Sequence, residues 1–110
     1  MASSNGSIQE CIQACVHCYQ SCQSNAMGLC LEQGGQHVAP GHMRLMISCA
    51  EVCRAAAAVM LNQSPQHPAV CRACAELCEA CARSCEQVGG MGECAQACRR
   101  CAESCRTMAA

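Results

Sequence analysis

The sequence has almost no aromatic residues. Phe and Trp are absent, and Tyr19 is the only aromatic side chain among 110 residues. Aromatic side chains supply much of the burial energy of ordinary cores, so this interior must be built from smaller groups. Lys and Asp are absent too, and seven Arg against eight Glu give a formal charge of −1. The chain therefore has no basic field for nucleic acid or anionic lipid, and neither is expected as a partner.

Long apolar runs are also missing. No segment approaches the roughly 20 apolar residues that span a bilayer, and no membrane association is expected. The opening "MASSNGSIQE" lacks the cationic and apolar regions of a secretory signal, so we expect a cytoplasmic protein. In a reducing compartment, a cysteine-rich chain is more often a metal binder than a disulfide scaffold.

What the sequence has in abundance is cysteine, at 16 of 110 residues. In "CRACAELCEACARSC", residues 71–85, five cysteines follow one another at steps of three, four, three and four. This alternation keeps side chains on one face of a helix, and it recurs near both ends of the chain. The candidate metal ligands are Cys11, Cys15, Cys18, Cys22, Cys30, Cys49, Cys53, Cys71, Cys74, Cys78, Cys81, Cys85, Cys94, Cys98, Cys101 and Cys105.

Capping and turn signals divide the chain into four helical segments of a single domain. Ser7 and Glu10 fit a capping box, and Ser64 followed by Pro65 fits the start of the third helix. The segments are predicted at about residues 7–33, 42–62, 65–88 and 91–108. Short connections between long helices favour an all-α, antiparallel up-down-up-down four-helix bundle. We call the row of cysteines along one face of a helix a stripe. With the stripes of the four helices facing inward, the core would be lined by cysteine.

The helical spacing predicts metal binding rather than disulfides within a stripe. Neighbours three or four apart hold their Cβ atoms about 5–6 Å apart, whereas a disulfide needs roughly 3.5–4.5 Å. Two such sulfurs can converge on one metal ion. A disulfide scaffold, a metallothionein-like buffer and an iron-sulfur carrier fit the pattern less well, and no residue stands out as a general base, so an enzyme is not expected.

Softness and charge favour copper. Thiolates and Met thioethers suit Cu(I), whereas a zinc site with four thiolates carries a net charge of −2 that is costly to bury. If each Cu(I) displaces one thiol proton, the interior stays near neutral, and bridging thiolates allow about one ion per cysteine. We therefore predict a store of many Cu(I) ions per chain. The alternative is a zinc-thiolate or general soft-metal buffering protein.

Thioethers and imidazoles collect at one end of the predicted bundle. His42, Met43, Met46 and Met91 would lie there together with Cys30. Such ligands hold Cu(I) more weakly than thiolates, so they are predicted to admit copper and pass it inward. At the opposite end, Met60, His67 and Met108 are expected to close the bundle.

The outer faces of the helices carry two further expectations. Glu79 and Arg83, and likewise Arg99 and Glu103, stand four residues apart and are expected to be able to pair on the surface of one helix. The second helix is apolar on both flanks of its stripe, which fits either burial within the chain or a subunit interface.

The cysteine-striped helices, the interleaved C-x-x-C and C-x-x-x-C spacings and the closing "CAQACRRCAESCRTMA" resemble the bacterial copper storage proteins, the Csp family. The resemblance covers nearly the whole chain. It implies a four-helix bundle that binds many Cu(I) ions through inward cysteines, a homotetramer, and one Met- or His-lined end that admits copper. Without an export signal, the chain looks like the cytosolic type. It departs from the family in carrying two cysteines on the second helix, and Met91 where cytosolic members tend to have histidines.

Overall fold

The computed structural model describes residues 2–110, with side chains from Ser7 onward, and contains no β-strand in that part of the chain. Four long helices account for nearly all of it. The first helix runs through Ala2–Asn25, continues through the π-helical turn Ala26–Cys30 and ends with the short α-helical segment Leu31–Gln33. A 3₁₀ turn, Gly35–Val38, follows it. The second, third and fourth helices are Pro40–Leu61, His67–Val88 and Gly92–Ala109.

Each helix packs against the next in the chain, and the fourth packs against the first. This closed ring of neighbours joined by short connections is the up-down-up-down bundle, so the predicted fold class is confirmed. The bundle is a narrow rod of 48 × 19 × 18 Å. None of the helices described between residues 2 and 110 combines the length and apolar character that crossing a membrane requires.

The first and third helices do not begin at the caps that the sequence predicted. Ser7 lies inside the first helix, where preceding turns already occupy the backbone groups that an N-cap would serve. The third helix begins at His67, after the predicted start. Its delay has a local cause: the Ser64 hydroxyl accepts a hydrogen bond from the Gln66 backbone N–H at 3.1 Å. A serine used in this way closes a turn instead of capping the helix.

The π-helical turn brings Cys30 onto the inward face of the first helix. An ideal α-helix would turn Cys30 about 80° away from Cys22, since eight residues exceed two turns at 3.6 residues per turn. A π-helical turn accommodates one extra residue. Ala26 and Cys30 are consequently both fully buried.

The core consists of small side chains. All sixteen cysteines are at most 1% exposed, and the remaining core positions are filled by alanines, Ile12 and three methionines, Met46, Met60 and Met91. Among residues 7–110, His42 is the one buried polar side chain. Small side chains let helix backbones approach closely, which explains the narrow cross-section.

Ion pairs on the surface form both within one helix and between neighbouring helices. Arg99 pairs with Glu86 on the third helix at 2.7 Å, so the predicted pairing with Glu103 is wrong for this arginine. Arg106 likewise pairs with Glu79, so the predicted pairing of Glu79 with Arg83 is wrong as well. Both pairs link the third helix to the fourth. A pair between two antiparallel helices depends on the register of the helices, and the spacing of residues along one helix does not predict that register.

We expect the metal-free, reduced protein to be folded, because a neutral thiol core already packs the four helices together. Circular dichroism of protein treated with a strong Cu(I) chelator and reductant should show high helicity. The same protein reloaded with Cu(I) is the control, and its helical signal should change little. A random-coil spectrum without metal would contradict a preformed bundle.

Candidate metal centre

The cysteine sulfurs form one continuous array along the axis of the bundle, which we call the sulfur column. Neighbouring Sγ atoms on different helices approach to 3.5 Å, as between Cys78 and both Cys49 and Cys53. Other contacts reach 4.0 Å, as between Cys18 and Cys78. Contacts within one stripe are of the same length, with 3.9 Å between Cys18 and Cys22. Every helix therefore contributes sulfur to the same space.

These separations suit sulfurs that share a metal ion. A metal–sulfur bond of about 2.3 Å, the value for zinc, sets ligand sulfurs about 3.8 Å apart in a tetrahedron and about 4.0 Å apart in a trigonal site. The observed spacings of 3.5 to 4.0 Å fall around these values. All sixteen cysteines are free thiols. An ion can thus be coordinated with small side-chain adjustments.

The column cannot be divided into separate four-ligand sites. Residues 7–110 contain five groups in which all the sulfurs lie within 4.8 Å of one another. Several cysteines belong to more than one of these groups. Cys18 and Cys49, for example, belong to two groups, as do Cys53 and Cys78. The groups are Cys15/Cys74/Cys101/Cys105, Cys18/Cys49/Cys53/Cys78, Cys18/Cys22/Cys49/Cys98, Cys53/Cys74/Cys78/Cys101 and Cys11/Cys71/Cys105. Shared sulfurs are positions where one thiolate can bridge two ions.

Hydrogen bonds between neighbouring thiols shift pKa values in both directions within the sulfur column, and those of Cys18, with Cys101 foremost, lower its pKa. Hydrogen bonds with neighbouring thiols, Cys18 foremost, together with burial raise the pKa of Cys22. Hydrogen bonding with Cys101 and other thiols, with burial, raises the pKa of Cys53. At the edge of the column, burial raises the pKa of Cys30. The thiols of Cys22, Cys53 and Cys30 are therefore protonated at neutral pH, and an ion that binds them must displace protons.

Compensating positive charge is scarce in the core. No Arg is buried among residues 7–110, and the single buried polar side chain is His42. Burial lowers the pKa of His42, which keeps this imidazole neutral at neutral pH. A thiolate in the column must therefore take its counter-charge from a bound metal.

Met46 lies inside the column instead of at its mouth. Its side chain is fully buried. Its Sδ atom is 3.6 Å from the Sγ atoms of Cys81 and Cys85, and 4.0 Å from that of Cys94. The thioether thus occupies a place in the second helix that a further cysteine would otherwise fill.

Cys30, His42 and Met91 come together at the end of the column where copper was predicted to be admitted. The Cys30 Sγ atom is 3.7 Å from His42 Nε2 and 4.0 Å from Met91 Sδ. His42 and Met91 are 4% and 3% exposed, so both reach the edge of the core. Met43 is partly buried against the core nearby. We call Cys30, His42 and Met91 the mouth.

Ser84 is a mouth residue that the sequence reasoning missed. Its Oγ atom lies 2.7 Å from His42 Nδ1. When Nδ1 carries the ring proton and donates a hydrogen bond to Ser84 Oγ, the Nε2 lone pair is available on the side of Cys30. A serine beside a striped cysteine carries no signal in the sequence, because its partner is 42 residues away.

The cysteines that lie farthest from the mouth form the remaining group. Cys11 and Cys105 have their Sγ atoms 3.7 Å apart, and Cys71 lies within 4.8 Å of both. The Cys71 Sγ atom is also 3.8 Å from Met60 Sδ. We call this the far end.

Comparison with known proteins identifies relatives with the same architecture. A crystal structure of a protein from Nitrosospira multiformis is 54% identical, with 96% of each chain covered and a TM-score of 0.94. The Cu(I)-bound copper storage protein BsCsp3 is 39% identical, with 94% of this chain and 99% of that chain covered and a TM-score of 0.87. A cysteine-rich protein, YhjQ, from Bacillus subtilis strain 168 is 39% identical over 77 residues, 70% of each chain.

A family profile described as copper storage protein, Csp, matches residues 4–110. This match covers almost the whole chain, including every cysteine of the sulfur column. The chain belongs to the copper storage protein family.

Proposed function

We propose that this protein stores many Cu(I) ions per chain, with the sixteen thiolates of the sulfur column as ligands. The observation that carries the proposal is the sharing of sulfurs between adjacent groups in a core whose single buried polar side chain, among residues 7–110, is His42. Membership of the copper storage family and the Cu(I)-bound relative support it. The proposed role is sequestration, protection from free copper and supply of copper to other proteins, and it involves no catalysis.

Charge balance selects Cu(I) over Zn(II). A zinc ion with four thiolates leaves a net charge of −2, and several such sites would accumulate uncompensated negative charge in a core that lacks buried Arg. Burying unpaired charge is costly. Each Cu(I) that displaces one proton adds one positive charge and exposes one negative charge, so the column stays neutral at every loading.

The number of bound ions tests the proposal directly. We expect the reduced protein to take up about ten or more Cu(I) per chain, since bridging thiolates let the number of ions approach the number of sulfurs. The measurement is an anaerobic titration against a chromophoric Cu(I) chelator, with bound metal counted by elemental analysis. About one proton should be released per Cu(I), because the displaced thiols are protonated at neutral pH.

Zn(II) serves as the competing metal in the same titration. Saturation at about four ions or fewer, with Zn(II) displacing Cu(I), would contradict the store and favour a zinc-thiolate protein. That result would leave the sulfur column as a structural core.

We propose that copper is admitted at the mouth through His42, Met43 and Met91. Imidazole and thioether ligands bind Cu(I) without displacing a proton, and they bind it more weakly than thiolates. An ion on Met91 and His42 is already within reach of the Cys30 thiol. Met46, inside the column, would take part in the next transfer.

Removing the thioethers at the mouth should slow loading with little change in capacity. We expect a Met43→Leu/Met91→Leu variant to load Cu(I) several-fold more slowly, because Leu keeps the volume of Met and lacks its sulfur. Stopped-flow transfer from a Cu(I) chelator gives the rate. Met108→Leu, at the other end of the rod, is the matched control. Equal rates in all three proteins would show that the methionines only pack the core.

We also propose a cytoplasmic homotetramer. A reducing compartment keeps the sixteen thiols available for metal, and the family resemblance supports a tetramer. The second helix offers half-buried Met43 and Ile47 and the exposed Leu61 as an apolar surface. Sedimentation equilibrium should give the mass of four chains, and Leu61→Arg should lower it because a charge there would be buried. A wild-type protein that sediments as one chain would contradict the tetramer.

A further inference from the structure

A groove opens at the far end, between the first helix and the connection from the second helix to the third. It has a volume of about 680 Å³. Ile8 and Ile12 line it from the first helix, and Met60 and His67 line it from the opposite side. A thioether and an imidazole thus line the same opening, more than half the rod away from the mouth.

Met60 connects this groove to the sulfur column. Its side chain lines the groove and is 4% exposed, while its Sδ atom lies 3.8 Å from Cys71 Sγ. Cys71 in turn belongs to the group with Cys11 and Cys105. The Cys105 Sγ atom is 3.6 Å from that of Cys15, which continues the column. A chain of soft ligands therefore leads from the groove into the core.

His67 is held in a form that can bind metal. Its Nδ1 atom is 3.1 Å from the carbonyl oxygen of Ser64. A carbonyl oxygen only accepts hydrogen bonds, so Nδ1 carries the proton and Nε2 keeps the lone pair. A backbone carbonyl on the other ring nitrogen is the usual arrangement for a metal-binding histidine.

The far end repeats the donor types of the mouth. At the mouth, the terminal thiol of Cys30 is in contact with Met91 and His42. At the far end, the thiol of Cys71 is in contact with Met60, and His67 lines the same groove as Met60. Each end of the column thus adds weaker, neutral ligands at the boundary with solvent.

We propose that Met60 and His67, together with Cys71, form a second Cu(I) transfer site, so that the sulfur column opens at both ends. This inference rests on the proposed copper store. A Cu(I) ion moves from the Cys71 thiolate to the Met60 thioether and the His67 imidazole by ligand exchange, and it remains in the +1 state. The thiolate left behind takes up a proton from water. Copper admitted at the mouth can then leave from the far end without reversing its path.

Release kinetics of the full-length, Cu(I)-loaded protein test the second site. The protein is mixed anaerobically with excess bicinchoninate, and the Cu(I)–chelator absorbance is followed in time. A Met60→Leu/His67→Gln variant should release part of its copper about tenfold more slowly, which is ~1.4 kcal/mol in the transfer barrier. His42→Gln/Met91→Leu should slow the remaining part, and the combined variant should slow both.

Met108→Leu is the matched control, because Met108 is a methionine near the same end that lines a different groove. It should release copper as the wild type does. The second site would be overturned if Met60→Leu/His67→Gln left the release rate unchanged, both in the wild-type chain and in the His42→Gln/Met91→Leu variant. Wild-type protein that takes up no more than a few Cu(I) ions would instead overturn the copper store, and the second site with it.

Anomalous scattering at the copper edge gives a readout that needs no variant. Crystals of the wild-type protein loaded with Cu(I) should show copper bonded to Met60 Sδ at partial loading or at saturation. A filled column with no copper at Met60 in either state would overturn the proposal.

Discussion

The structure depends on one constraint: sixteen thiols share a core that offers them no fixed positive charge. Burial disfavours thiolates throughout the column, and no buried Arg among residues 7–110 could stabilise one, so we expect the metal-free column to be neutral and to pack like an apolar interior. Charge enters only with a metal ion. A monovalent ion that replaces a proton leaves the balance unchanged, so we expect the same core to be stable both empty and full.

Close packing of small side chains makes the column continuous. Cysteine and alanine let the four helices approach within a rod 19 × 18 Å in cross-section, and this approach brings sulfurs of different helices to 3.5–4.0 Å. Larger aliphatic side chains would hold the helices farther apart and separate the sulfurs into isolated pairs. The lack of Phe and Trp therefore helps to keep the sulfurs of different helices in contact. The narrow cross-section of the bundle follows from the same need for sulfurs of different helices to be in contact.

Ligand strength changes along the rod. Deep positions are thiols shared between adjacent groups, and the boundaries with solvent add Met91 and His42 at the mouth and Met60 at the far end. On the two proposed paths, an ion would meet weaker ligands before stronger ones. Binding that is tight in the middle and exchangeable at the ends is what storage and supply together require. Met46, a thioether among Cys81, Cys85 and Cys94, is a weaker ligand placed within the tight region.

The sequence by itself determined the helical class, the inward face and the soft-metal chemistry. Alternate steps of three and four between cysteines leave a single face for each helix, and thiol chemistry follows from residue type alone. Features that depend on contacts between helices, or on a local break in the helix, were decided by the tertiary structure. Spacing places Cys30 off the stripe, and a π-helical turn restores it. Ser84 meets His42 across 42 residues, and Arg99 pairs with Glu86 on another helix. Periodicity reports which face of a helix is buried, but the register between helices is set only when all four pack together.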